Sequence, residues 1–214
     1  PRQNYGPQGA NVTSEAHNEL ARELASAGVV LLQNKQAVLP LDAGNLSTIA
    51  VIGAPASFET GAPAEGGEPA VGAVHTVLHS ITTSLRAILE WFLTVRRIFQ
   101  QNWPVTGGGG SGSVMPPYRI SLLQAVQAHM RKAGHPSRAV VFHNGSDPVA
   151  AARVAGQADV AIIVVGVSSQ EGIDRTDLML PPEQSAYVQA AGAAQTRSIV
   201  VAVSPGALLT LHCQ

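Results

Sequence analysis

Cysteine is almost missing from this chain. Cys213 is the only one in 214 residues, so an internal disulfide and a cysteine metal cluster are both excluded. Its place next to the last residue argues against a catalytic thiol. Charge is also sparse, at 13% with a net charge of −1, and no basic tract or tail interrupts the pattern. A nucleic-acid surface would need such a tract, so nucleic acid is not an expected partner. The first residues, P-R-Q-N-Y-G-P-Q-G, lack the apolar core of a signal peptide, which places any secretion signal outside this sequence. Against these absences stands 45% hydrophobic content over a length sufficient for one well-cored domain, or for a domain with an appendage. Three glycosylation acceptor patterns, at Asn11, Asn45 and Asn144, favour secretion, with chance occurrence in a cytosolic or bacterial protein as the alternative.

Four apolar runs bounded by turn signals read as core strands: Thr48 to Gly53, Arg138 to Phe142, Asp159 to Val167, and Ser198 to Ser204. Near-continuous Val, Ile and Ala is the composition of strands buried on both faces, as in a parallel sheet. Helical patterns lie between the four runs. Ile120 to Lys132 carries apolar residues at 122, 123, 126 and 130 with Ser121 able to cap, Asp147-Pro148 opens a second helix, and Pro182-Glu183 opens a third that runs to about Ala194. Ser14 to Ala27 forms a further helix capped by Ser14. Gly28 ends it, and Val29 to Leu32 reads as a short strand. Strand and helix alternation of this kind produces parallel crossovers, and therefore an α/β layered domain.

Residues 57–103 break the alternation. A Gly-, Ala-, Pro- and Glu-rich stretch to Gly72 reads as an irregular loop. From its end onward, Val71, Val74, Leu78, Ile81, Leu85, Ile88, Phe92, Val95 and Phe99 fall at steps of three and four. That heptad seam predicts a long amphipathic helix over 71–99, which must cover its stripe by packing locally, by self-association or at a membrane surface. Arg86, Glu90, Arg96 and Arg97 argue against a transmembrane span.

Two segments carry candidate chemistry. T-G-G-G-G-S-G-S-V-M-P-P, from Thr106 to Pro117, formally fits a dinucleotide glycine pattern. No acidic residue lies between it and Asp147, and no Lys-Ser or Lys-Thr pair follows the glycines, so neither nucleotide reading holds. A connection into the next helix, or the rim of a sugar site, remains. V-V-G-V-S-S-Q-E-G-I-D-R-T-D-L, from Val164, runs from a core strand into a loop bearing Glu171, Asp174, Arg175 and Asp177. Ligands of open parallel sheets gather at the carboxyl ends of strands. The plainer reading is a local Asp174–Arg175 ion pair that orders a solvated loop.

Seven motifs in order give a resemblance: L-A-R-E-L-A-S-A-G-V-V-L-L-Q-N (20–34), L-P-L-D (39–42), I-A-V-I-G (49–53), G-G-G-S-G-S-V-M-P (108–116), A-D-V-A-I-I-V-V-G (158–166), E-G-I-D-R (171–175) and L-P-P-E-Q (180–184). Together they resemble the C-terminal α/β sandwich domain of glycoside hydrolase family 3, the β-glucosidase and β-xylosidase family. The resemblance spans about Ser14 to Ala56 and Pro104 to Gly206. It implies a layered α/β/α sandwich with a mostly parallel sheet, incomplete at the C-terminus and interrupted at 57–103, with residues 1–13 as a linker-like segment and 14–214 as the domain.

For function, the resemblance implies retaining hydrolysis of terminal β-linked sugars, with an aspartate nucleophile on an N-terminal barrel domain and an acid/base glutamate on the sandwich loop. Glu171 matches that glutamate, Asp174 and Arg175 match the charged pair around it, and Gly108, Gly109, Gly110 and Ser111 match the glycine loop at the sugar site. Retention needs two carboxyl groups about 5–5.5 Å apart across the sugar, so one alone cannot complete the cycle. The chain departs from the pattern in lacking the barrel, in its insertion, and in ending after Gly206 with A-L-L-T-L-H-C-Q where the family continues. An unpaired edge or exposed apolar face is expected there. The expected partners are a carbohydrate and a barrel domain, with no cofactor and no metal site. A non-catalytic carbohydrate-binding or assembly module is the alternative from a different class.

Overall fold

Val160 to Gly166 is the central strand, and every one of its seven residues is buried. Alternation divides it between two cores: Val160, Ile162 and Val164 face one, while Ala161, Ile163 and Val165 face the other. A strand apolar on both sides is stable only when covered on both sides, and each fully buried Val or Ile contributes about 1.5–3 kcal/mol. The computed structural model describes residues 12–57, 118–169, 171–172 and 174–209. In chain order its strands are β1 (Ile49–Ile52), β2 (Val140–His143), β3 (Val160–Gly166) and β4 (Ser198–Val203). Its α-helices are α1 (Glu15–Ala27), α2 (Leu122–Lys132), α3 (Pro148–Gly156) and α4 (Pro182–Ala194).

The strands form one sheet in the order β2-β1-β3-β4, and every pairing is parallel. Leu123 and Met130 of α2 cover the face bearing Val51, Val140 and Val164. Ala151 and Ala155 of α3, with Tyr187, Val188 and Ala191 of α4, cover the face bearing Ala50, Ile52 and Ile163. The alanines let α3 and α4 approach the sheet closely. This is the layered α/β/α arrangement read from the sequence. The chain leaves β1 toward β2 on one side of the sheet and β3 toward β4 on the other, so the strand order reverses direction between β1 and β3.

The helix starts follow the local chemistry. Ser121 Oγ accepts from Gln124 N at 3.2 Å, and Gln124 Oε1 accepts from Ser121 N at 2.9 Å, a reciprocal cap. Asp147 Oδ1 accepts from Val149 N at 2.9 Å and Ala150 N at 3.2 Å ahead of Pro148. At the opposite end of the sheet, Asp159 Oδ2 accepts from Ser47 N at 2.7 Å and Thr48 N at 2.9 Å, tying the starts of β3 and β1 together. These bonds lower the Asp159 pKa below its ordinary 3.8.

Among the described residues, 12–40 form a separate unit. Within it Ser14 Oγ accepts from His17 N at 3.1 Å and caps α1 as read from the sequence. Val29 to Leu32, expected as a strand, is irregular instead. A strand needs a ladder partner, and among the described residues this unit contains no second strand to supply one.

β4 is an outer strand, and its free edge meets no other strand among the described residues. Its last residue, Val203, is exposed. The amphipathic pattern of 71–99 and the rest of the 57–103 insertion beyond Ser57 lie outside the described residues. No helix among the described residues is long and apolar enough to cross a membrane.

Candidate functional site

The pairing of β1 with β3 begins at Ile49 and Val160 and ends at Ile52 and Ile163, while β3 continues to Gly166. The β4 side of this extension is occupied, since Ala161 N donates to Arg197 O at 3.0 Å and Val167 N to Val203 O at 3.1 Å. By strand alternation the polar groups of Val164 and Gly166 face the other way, where β1 has ended. Left alone there, buried peptide groups would each cost about 1–3 kcal/mol. Side chains of α4 take the place of the absent strand. Tyr187 Oη donates to Val164 O at 2.8 Å, Gln184 Nε2 donates to Gly166 O at 2.9 Å, and Gln184 Oε1 accepts from Gly166 N at 2.8 Å. Burial, with a further contribution from the Glu183 charge, pushes the Tyr187 phenol well above its ordinary pKa, so it remains a donor.

Close approach at this edge demands glycine. Gly53, the residue after β1, has φ +113°, and a Cβ there would lie 2.1 Å from Val164 O and 2.9 Å from Tyr187 Oη. A Cβ on Gly145 would lie 2.5 Å from the Tyr187 ring. The backbone after β1, the loop after β2 and the end of β3 are therefore drawn together around one tyrosine.

The loop from Val167 to Pro181 leaves this clamped end. Glu171 is exposed on it, five residues beyond Gly166, and Leu180 returns the chain to the core. Asp177 Oδ1 accepts from Met179 N at 2.8 Å and closes a local turn. Two further ties hold the loop to the segment after β4: Arg175 Nη2 donates to Ala207 O, and Leu209 N donates to Leu178 O at 2.8 Å. The Arg175 contact is thus to a backbone carbonyl distant in sequence, which the reading of an ordering pair with Asp174 did not foresee. Nη1 of Arg175 is buried with no hydrogen-bond partner among the described residues.

Beside the loop lies a hollow of about 460 Å³ lined by Ser169, Asp174, Arg175, Thr176, Asp177 and Leu178. Asp174 and Arg175 thus border this hollow, while Glu171, on the same loop, is not among its lining residues. Gly108, Gly109, Gly110 and Ser111 lie outside the described residues. Among the described residues, no group of three His, Cys, Asp or Glu could hold a metal ion. An exposed carboxyl group on a loop that follows a strand's carboxyl end can give or accept a proton.

Gln184 and Tyr187 were missed as parts of this edge. Gln184 was visible only as the last letter of L-P-P-E-Q, and Tyr187 only as a helix residue. Their spacing of three places them on one helix face, which was the available signal.

The glycosyl hydrolase family 3 C-terminal domain model matches residues 29–212. Among curated relatives, probable beta-glucosidase L of Aspergillus terreus is 29% identical over 211 residues, covering 95% of this chain and 24% of the relative. Beta-D-xylosidase 3 of Arabidopsis thaliana is 29% identical over 209 residues, covering 96% of this chain and 21% of the relative. Among solved structures, the beta-glucosidase D2-BGL of Chaetomella raphigera superposes with a TM-score of 0.66 at 27% identity, over 92% of this chain and 24% of that one. The chain spans about a quarter of the length of the proteins it matches. With the parallel sheet and a family model covering most of its residues, the chain belongs to glycosyl hydrolase family 3, as a C-terminal domain.

Proposed function

We propose that this domain supplies the acid/base half of a retaining glycosidase acting on terminal β-linked sugars, with Glu171 as the proton donor and acceptor. A barrel domain, bearing the aspartate nucleophile, supplies the other half. The supporting observation is the placement of Glu171: an exposed carboxyl group five residues beyond a buried strand whose end is held by side chains, on a loop bordering a hollow. The relatives support the substrate class, being named a beta-glucosidase and a beta-D-xylosidase.

In this mechanism the sugar lies between the two domains. The barrel aspartate attacks the anomeric carbon while Glu171 protonates the leaving oxygen; Glu171 then takes a proton from the water that releases the sugar. Residues 1–214 alone contain one side of that arrangement and are inactive. Asp174 and Arg175 border the sugar, and the glycines from Gly108 to Gly110 with Ser111 form part of its rim.

The test is made in the protein that includes its barrel domain. Glu171→Gln lowers kcat/KM, which reports departure of the leaving group, by about 10²–10⁴-fold for alkyl glycosides and far less for activated aryl glycosides, because a good leaving group needs little protonation. Equal losses on both substrates, or unchanged activity, remove Glu171 from the role. Robust turnover by residues 1–214 alone overturns the two-domain mechanism.

A further inference from the structure

The side chain of Gln184 is 6% exposed and spends both ends of its amide on a single residue, Gly166. A buried glutamine with one hydrogen bond merely avoids a penalty, whereas one that pairs with both the N–H and the C=O of one peptide residue reproduces a strand's own ladder contact. Gly166 is also the last residue of β3, so this contact fixes the direction in which the chain departs toward Glu171. The two residues are 18 apart in sequence, and Gln184 stands in the first turn of α4, on the far side of the loop. One amide therefore holds the root of the loop to the helix at which the loop ends. We infer that Gln184 is a positioning residue for the loop that carries Glu171, acting through Gly166 and without touching substrate; the inference rests on the acid/base reading of Glu171.

A glutamine at the other end of the same helix provides a matched control. Gln195 Nε2 donates to Ala155 O at 3.2 Å and to Ala158 O, and Gln195 Oε1 accepts from Arg197 N at 3.0 Å. It makes at least as many backbone contacts as Gln184, but at the amino end of the sheet.

In the 1–214 chain, hydrogen exchange of the peptide covering 167–180 is measured for Gln184→Met and Gln195→Met. Exchange of that peptide rises about tenfold or more in Gln184→Met and stays near wild type in Gln195→Met, because removing the clamp frees the loop root locally. Equal exchange in the two variants overturns the clamp. If Gln184→Met does not fold, Gln184→Glu answers the same question: it lacks the donor to Gly166 O while ionised and regains it when protonated. Burial beside the Gly166 carbonyl raises that carboxyl group's pKa, so exchange of the loop peptide, compared with wild type at each pH, is near wild type wherever the group is protonated and rises only where it ionises. Exchange that stays raised at low pH overturns the clamp as well.

In the barrel-bearing protein, Gln184→Met lowers kcat on alkyl glycosides by about ten- to a hundredfold, as expected of a displaced catalytic group, with a smaller effect on KM and on activated aryl glycosides. Faster loop exchange with unchanged kcat, in an enzyme that Glu171→Gln disables, overturns the positioning role and leaves the acid/base reading standing. A Glu171→Gln variant without leaving-group dependence overturns both.

Discussion

Gly53→Ala is the sharpest test of how the carboxyl edge is built. A Cβ at this position would stand 2.1 Å from Val164 O, where ordinary contact begins at 3.4 Å, so the backbones must part by about 1.3 Å, the difference between the two. Val164 is held in the middle of β3 and its carbonyl is also held by Tyr187, so β1 must give way. The Gly53 N–H bond to His143 O, 2.8 Å long, is lost or stretched in the process. Three costs combine: about 1–2 kcal/mol for alanine at φ +113°, about 1–2 for the overlap, and about 1 for the hydrogen bond. The sum, about 3–5 kcal/mol, is large beside a typical domain stability of about 5–15 kcal/mol.

Gly134→Ala separates the causes. Gly134 also has a positive φ, +87°, but a Cβ there meets nothing within 4 Å, so only a backbone cost of about 1 kcal/mol is expected. Urea unfolding of both variants, followed by far-UV circular dichroism, gives the comparison. A Gly53→Ala loss no greater than that of Gly134→Ala would refute close packing of β1 against β3 at this edge. Failure of Gly53→Ala to fold while Gly134→Ala folds agrees with it.

Tyr187→Phe leaves the buried Val164 carbonyl without its phenol donor and costs about 1–2 kcal/mol in the same unfolding assay, so an unchanged midpoint would show that this hydrogen bond is not made. Asp159→Asn tests the opposite end of the sheet through pH. Because hydrogen bonds from Thr48 and Ser47 lower the folded-state pKa below 3.8, the carboxylate's contribution is fully present well above that value and is lost as pH falls through the lowered one. The site is solvent-exposed, so the wild type exceeds Asp159→Asn by about 1 kcal/mol or less at pH 7. That gap closes on acidification below 3.8; a gap independent of pH would exclude the carboxylate as its source.

Local chemistry alone determined a large part of this molecule. Ser14, Ser121 and Asp147 cap the helices they were expected to cap, because a cap involves groups only two or three residues apart. All four apolar runs became parallel strands, but only the two inner ones, β1 and β3, are buried throughout; the outer strands β2 and β4 are partly exposed because each has, among the described residues, a neighbour on one side only. The seven motifs placed the chain in its family, which the model match over residues 29–212 bears out.

Tertiary structure decided what depends on distant partners. Val29 to Leu32 has strand-like composition, yet composition cannot supply the neighbour that makes a strand. Nothing local distinguishes Arg175 paired with Asp174 from Arg175 donating to the Ala207 carbonyl, 32 residues away. The need for glycine at position 53 arises only when Val164 and Tyr187 meet it. The roles of Gln184 and Tyr187 exist because β3 outruns β1 by three residues, and that difference is a property of the register between two strands more than a hundred residues apart. Hydrophobic periodicity specifies which faces are buried; it leaves open which backbone groups are then left over, and folding completes those with whatever side chain the packed helix brings within reach.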